Sequence, residues 1–264
     1  MTWRLIQDGA GDPSWNMAID QAILLQLDNI HEQPTLRFYS WNVIAITVGR
    51  FQKLVKTLHL SNISHYGIPI IRRETGGRGV LHGSDLTVSM MLLKSHLPFD
   101  IISTEAIYKY LQAGIEIAIT NLIGESSRAR DLQHNTSTGN CFAIKTKADI
   151  LGSNNSKLVG SAMRIYEDRI LMQCSISVQP NFGLMDLSGI FKGENPVRSY
   201  PLKNFSNAKI QKIIIKSYEE AGWRFINGEL NCSERSLAVD LTDKSFSPIN
   251  LRSASEVVDS GSSV

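Results

Sequence analysis

Three segments of the 264-residue sequence carry side chains that can do chemistry. The densest is Arg72-Arg73-Glu74-Thr75-Gly76-Gly77-Arg78-Gly79-Val80-Leu81-His82. Adjacent glycines let a backbone turn through positive φ and approach a ligand closely. Successive N–H groups can then converge on an anion or a carbonyl oxygen. Arg72, Arg73 and Arg78 add fixed charge with forked donors, and His82 adds a group that titrates near neutrality. The plain alternative is a glycine turn with solvated arginines. The second segment is Asn140-Cys141-Phe142. As a thiolate, Cys141 is a nucleophile; as a thiol beside an aromatic, it is a common core residue. No local spacing names a base for it. The third is Lys157, which enters the apolar run Leu158-Val159-Gly160-Ser161-Ala162. A lysine there normally lays its stem on the surface and keeps its ammonium in water, so a functional role needs a further pointer.

These residues need elements to hold them. Residues 3–7 read as a strand. Asp12-Pro13-Ser14 then starts a helix, because Asp12 can cap it and Pro13 fits its first position. Met17, Ala18, Ala22 and Leu25 recur at helical spacing. Residues 36–41 and 43–48 are rich in aromatic and β-branched side chains and read as a strand pair closed by Gly49-Arg50-Phe51-Gln52. Residues 68–71 form a short strand, with Pro69 at its start or on a sheet edge. Residues 86–92 leave the glycine cluster as another strand. Ser103 can cap a helix carrying Ile107, Leu111, Ile115, Ala118 and Leu122 on one face. Residues 125–139 are polar and aperiodic, a mobile loop. Residues 157–162 and 170–178 read as a hairpin turning near Glu167-Asp168. Ile210, Ile213, Ile214, Tyr218 and Ala221 give a last amphipathic helix. Past Gly228 the pattern dissolves, and the serine-rich residues 253–264 are expected to be disordered. Strands and helices mix without βαβ alternation or an internal repeat, so the expectation is an α+β fold with a mixed, largely antiparallel sheet.

Composition narrows the function. A hydrophobic fraction of 42% and a charged fraction of 20% are ordinary for a globular domain with a real core. A formal net charge of +2 demands neither nucleic acid nor an anionic membrane. Three cysteines, Cys141, Cys174 and Cys232, argue against a disulfide framework and for a reducing compartment. The first residues lack a secretory pattern, and no run approaches the roughly 18 apolar residues of a membrane span. The expectation is cytoplasmic. No Cys/His spacing supports a metal site.

Taken together, Pro34-Thr35-Leu36-Arg37-Phe38-Tyr39-Ser40-Trp41, Gly49-Arg50-Phe51-Gln52, Arg72-Arg73-x-Thr75-Gly76-Gly77-Arg78 with His82, and Lys157-Leu158-Val159-Gly160-Ser161-Ala162 resemble the biotin/lipoate A/B protein ligase family. The blocks occur in that family's order. The resemblance implies a catalytic domain over residues 1–228, with a central mixed sheet and flanking helices, and a C-terminal tail over 229–264. Within the family the chain is most similar to the cysteine-dependent octanoyltransferases. Its glycine cluster reads Thr-Gly-Gly-Arg, Cys141 precedes the lysine motif, and the sequence ends soon after the last helix, so no accessory domain is expected.

That resemblance implies two steps. Cys141 takes an octanoyl group from acyl carrier protein as a thioester. A lysine of a lipoyl domain, such as glycine-cleavage H protein or the E2 of a 2-oxo acid dehydrogenase, then takes it as an amide. Lys157 would face the acyl carbonyl. Arg72, Arg73, Thr75, Gly76, Gly77, Arg78, His82, Gly160, Ser161 and Ala162 would bind substrate, with His82 as a candidate proton shuttle. No cofactor is implied for this chemistry, and a monomer is expected.

The chain departs from the transferase pattern in three places. Gly79 stands where alanine is usual. Residues 143–150 lack the usual Pro-Ser pair and tyrosine. Gln173-Cys174 replaces a His-Gly pair before Ser175, which makes Cys174 a second candidate thiol. Two alternatives stay open: an ATP- and Mg-dependent lipoate–protein ligase acting through an acyl-adenylate, and a non-catalytic acyl- or lipoyl-domain-binding protein.

Overall fold

The computed structural model describes all residues except 28–32, 129–137, 153–154, 179–186, 188, 194–199 and 252–264. Strand β1 (Thr2–Gly11) leads into helix α1 (Pro13–Gln26). The cap of α1 is the one expected: the Asp12 carboxylate accepts from the Ser14 and Trp15 N–H groups at 2.8 and 3.2 Å. Then come β2 (Thr35–Trp41), β3 (Ala45–Val48), the short helices α2 (Leu54–Thr57) and α3 (Leu60–His65), and β4 (Ile70–Arg72). The glycine cluster separates β4 from β5 (Val80–His82), which turns into β6 (Asp85–Leu93). Helix α4 (Thr104–Ile123) is capped by Ser103 and stopped by Gly124 at φ +86°. Two short strands, β7 (Ser127–Arg128) and β8 (Ile150–Leu151), precede the hairpin of β9 (Lys157–Tyr166) and β10 (Arg169–Ser177). Helix α5 (Asn207–Glu220), β11 (Arg224–Asn227) and helix α6 (Cys232–Lys244) complete the chain.

The strands form an α+β architecture with two sheets. The large sheet has the order β11-β1-β2-β6-β10-β9-β8-β7, and β1 runs parallel to both β11 and β2. Its remaining pairs are antiparallel. The small sheet has the order β4-β3-β5. Side chains of the large sheet alternate between two cores. Leu36, Phe38, Met90, Ile170 and Met172 face α4 and α5, whereas Tyr39, Trp41, Met91 and Leu171 face α1 and α6. A third cluster packs the small sheet on α3.

Two expectations are corrected. Strands β2 and β3 do not pair with each other. Each is a middle strand with both edges taken, β2 by β1 and β6, β3 by β4 and β5. Nor does the pattern dissolve past Gly228. Helix α6 opens with a capping box between Asn231 and Glu234, and Ala238 and Phe246 are buried against α1. Arg4 of β1 forks onto the Glu234 carboxylate at 2.9 and 2.5 Å. The helix carries one narrow apolar stripe on an otherwise polar surface, so its periodicity is weak. Pro69 sits where its missing N–H requires, just before the edge strand β4. Residues 253–264 and most of the 125–139 loop lie outside the described residues, apart from the short strand β7.

Candidate active site

The Cys141 thiol sits at the start of a 3₁₀ turn, Cys141–Ala143, capped by the Asn140 side chain. The turn is tied to the glycine cluster: the Cys141 N–H donates to the Gly79 carbonyl at 2.8 Å, and the Gly79 N–H to that of Gly139 at 2.9 Å. Lys157, the first residue of β9, reaches back to this turn. Its Nζ lies 3.4 Å from Cys141 Sγ and donates to the carbonyls of Cys141 and Ile144 at 2.9 and 3.1 Å. It also pairs with Asp149 at 2.9 Å, and both side chains are shut off from solvent. Gly160 leaves room for the lysine, because a Cβ there would lie 3.0 Å from Lys157 Cε. Burial pulls the Lys157 ammonium down, but Cys141 and Asp149 together outweigh it, and the net shift is upward.

Cys141 opens on a small cavity, about 30 Å³, lined from both sheets. Trp41, Thr47, Val80 and His82 form one side, and Gly160, Ser161, Ala162 and Gln173 another. Ser161 and Ala162 also line an outer groove together with Gly76, Gly77, Tyr108 and Met163. The cavity and the groove therefore meet at the middle of β9.

The glycine turn is held from behind by Arg73. This buried guanidinium donates to the Thr75 hydroxyl at 3.1 Å, to the Thr47 carbonyl at 3.1 Å and hydroxyl at 3.3 Å, and to the carbonyls of Gly76 and Arg78. Burial lowers its pKa while Cys141 opposes that, and a guanidinium remains charged throughout. Gly77 has φ +89°, and a Cβ on Gly49 would lie 2.0 Å from the Gly77 carbonyl oxygen, so the turn needs glycine on both sides of that contact. The Thr75 hydroxyl donates to Gln173 at 2.8 Å, and Gln173 donates to the buried Asp20 at 2.8 Å. Asp20 in turn pairs with the buried Arg37 at 2.7 Å.

The residues singled out from sequence thus fall into groups. Cys141, Arg73, His82, Gly160, Ser161 and Ala162 line the cavity, and Lys157 abuts Cys141. Gly76 and Gly77 line the groove. Thr75 bridges Arg73 to Gln173. Arg72 serves the neighbouring loop, donating to the carbonyls of Gly49, Arg50 and Gln52 at 2.8, 3.0 and 3.1 Å. Arg78 donates to the Thr138 carbonyl at 2.8 Å. His82 stacks on Trp41 with ring centres 3.8 Å apart, and its two nitrogens meet Thr47 Oγ1 and Asp85 Oδ2, each at 2.8 Å. Cys174 lies on the cavity wall but is buried, and it accepts from the Ser161 hydroxyl at 3.2 Å. Burial pushes its thiol up to about 11, which makes it a poor nucleophile at neutral pH. Sequence reasoning missed Asp149 and Thr47, and marked Gln173 only as a departure from the transferase pattern, with no role at the site. Each acts through a partner distant in the chain or across a turn, and none stands in a motif.

The chain has matches among known proteins. Residues 12–214 match the lipoyl protein ligase A/B catalytic domain. The octanoyltransferase LipM of Moorella thermoacetica is 34% identical over 225 residues, covering 83% of this chain and 76% of that protein. The octanoyltransferase LipM of Clostridioides difficile is 29% identical over 263 residues, covering 92% and 95%. Among solved structures, a lipoate-protein ligase A bound with ATP superposes with a TM-score of 0.76 at 21% identity, over 92% of this chain and 95% of that one. That likeness carries the fold. With the match spanning most of its length, the chain belongs to the lipoyl protein ligase A/B catalytic domain family.

Proposed function

We propose that this chain is an octanoyltransferase that moves an octanoyl group from acyl carrier protein to a lipoyl-domain lysine through a thioester on Cys141. The observation that carries this reading is the placement of Cys141 Sγ on the cavity wall, 3.4 Å from the buried Lys157 Nζ. The similar proteins named octanoyltransferase favour it over an ATP-dependent ligase.

Deprotonated Cys141 attacks the thioester carbonyl carbon, forming a C–S bond and a tetrahedral oxyanion. The oxyanion collapses and breaks the bond to the carrier sulfur, which leaves as a thiolate and takes a proton. The neutral amine of the acceptor lysine then attacks the new thioester. A C–N bond forms, the amine loses a proton, and Cys141 leaves as thiolate. The first exchange is nearly isoenergetic, and amide formation runs downhill, so the reading requires no ATP. The Lys157 charge stabilises both tetrahedral oxyanions as they form. The outer groove of about 460 Å³, which adjoins the cavity at Ser161 and Ala162, receives the acyl tail, at about 0.8 kcal/mol per buried methylene. The acceptor is a lipoyl domain such as glycine-cleavage H protein or a 2-oxo acid dehydrogenase E2.

Intact-mass measurement after incubation with octanoyl-acyl carrier protein, without ATP, tests this. One octanoyl adduct is expected, abolished by Cys141→Ala and discharged by a lipoyl domain. An adduct that survives Cys141→Ala refutes the nucleophile, and ATP-dependent use of free lipoate by that variant points to the ligase chemistry.

A further inference from the structure

The charge on Lys157 is fixed by the groups around its nitrogen. Three oxygens surround Nζ, from Cys141, Asp149 and Ile144, at 2.9, 2.9 and 3.1 Å. Cys141 Sγ is a fourth acceptor at 3.4 Å. An ammonium has three N–H donors and no acceptor, which suits three oxygens. A neutral amine has two donors and a lone pair, which would leave at least one of the three oxygens without a hydrogen. The geometry therefore requires the charged form, and a charged lysine cannot take a proton from the thiol.

The carboxylate opposite it is anchored with equal care. Asp149 is fully buried. Its Oδ2 accepts from the Thr146 N–H at 2.7 Å and the Thr146 hydroxyl at 3.0 Å, as well as from Lys157. Its Oδ1 faces the Ser161 N–H at 3.4 Å. Asp149 is thus bound to the loop before β8 and to the middle of β9, and it is aimed at the one ammonium between them. A buried carboxylate this well fixed holds its partner both in charge and in position.

We propose that Asp149 is a positioning residue for the transfer: it keeps Lys157 protonated and holds the ammonium against Cys141 and the developing oxyanion. This rests on the reading of Cys141 as the acyl carrier. It assigns Lys157 the part of a fixed cation rather than a base, so the thiol proton leaves to solvent through the open side of the cavity. It also gives a purpose to residues 143–150, the segment that departs from the related transferases. Here a Thr146–Asp149 turn supplies the counter-ion.

The inference has a signature in pH. Among the described residues, the ionisable groups in contact with Nζ are Cys141 and Asp149. Arg73, His82, Cys174 and Tyr39 line the same cavity, and Tyr108 lines the groove outside it. Removing the Asp149 charge leaves burial, which favours the neutral amine, opposed by Cys141 alone. The ammonium is then lost at lower pH, so the alkaline limb of the reaction must move down. One pH unit of movement is a tenfold loss of the charged form at any pH well above the limb.

The experiment is single-turnover acylation of Cys141 by octanoyl-acyl carrier protein, followed by intact mass from pH 6 to about pH 11.5, a range that reaches past the ordinary lysine value. With Asp149→Asn, the alkaline limb should fall by about one unit or more, and Asp149→Glu should return it towards wild type. Thr146→Val removes one anchor of the carboxylate and should move the limb in the same direction by less. It also serves if Asp149→Asn does not fold. A merely structural role would lower the melting temperature and leave the limb in place, and that outcome in both variants overturns the proposal. If the wild-type chain forms no adduct on Cys141, the transferase reading fails first and the proposal falls with it.

Discussion

Alanine at position 79 probes how Cys141 is held. A Cβ there would lie 2.5 Å from Cε1 of the buried Phe191 ring and 3.3 Å from the Gly139 carbonyl oxygen. Gly79 does not have positive φ, so its backbone accepts alanine and space alone is in question. The Phe191 ring edge fills the space that a side chain at position 79 would need. Overpacking of this kind costs about 1–3 kcal/mol. In a chain of this size each kcal/mol lowers Tm by about 2–4 °C, so Gly79→Ala should melt about 2–12 °C early. The same residue accepts the Cys141 N–H at 2.8 Å, so a shift of its backbone carries the nucleophile with it. A displacement approaching 1 Å can cost a reaction about 100-fold, and we expect acylation of Cys141 to slow at least about tenfold. Phe191→Leu removes the ring edge. The double variant should therefore recover both rate and Tm beyond the sum of the single changes, with a coupling of about 0.5–3 kcal/mol. Calorimetry and single-turnover intact mass measure the two effects. Strict additivity, or a Gly79→Ala protein that melts and acylates like wild type, refutes the contact as the constraint.

The Cys174 thiol predicts an alkaline loss of stability. Its ordinary value is 9.0 and burial raises it to about 11, so the folded state holds the proton more tightly. That contribution is complete below about pH 9 and disappears as the pH rises through about 11, amounting to about 2–3 kcal/mol. Urea unfolding at pH 8 and pH 10.5 should show the loss, and Cys174→Ala should reduce it; an unchanged slope with pH in the variant counts against the assignment. Deleting residues 229–264 removes α6, strips Glu234 from Arg4 and uncovers the α1 face. The shortened chain should melt far below the full one and bind a hydrophobic dye. Unaltered melting would mean that α6 is dispensable.

Much of this architecture was legible because the signals were local. The Asp12 and Ser103 caps, the heptad-like face of α4 and the alternation in the β9–β10 hairpin each lie within one element. What was not legible depends on distance. The sequence shows β2 and β3 as neighbours, but which edges they pair is decided by β1, β6, β4 and β5, far along the chain. Helix α6 is nearly all polar, and it is held by a capping box and by an arginine 230 residues away. In the site, motif blocks pointed to Cys141, Lys157 and the glycine turn. Asp149 carried no such mark, because a carboxylate after a polar loop looks like any solvated acid until its partner is placed. Arg72 and Arg73 are adjacent and alike in sequence. Alternation along the chain sends one to the 49–52 loop and the other under the turn.

The parallel pairing of β1 with β11 also has a consequence for how the protein is made. Thr2–Leu5 leaves the ribosome long before its outer partner, Arg224–Asn227. At ordinary elongation rates of about 5–20 residues per second, that edge waits about 10–45 s for its cover. During this interval a nascent chain shows an unpaired apolar strand end containing Trp3 and Leu5, the kind of edge that seeds association between copies. Synthesis speed and access to a chaperone should therefore govern the yield of soluble protein more than the stability of the finished fold does.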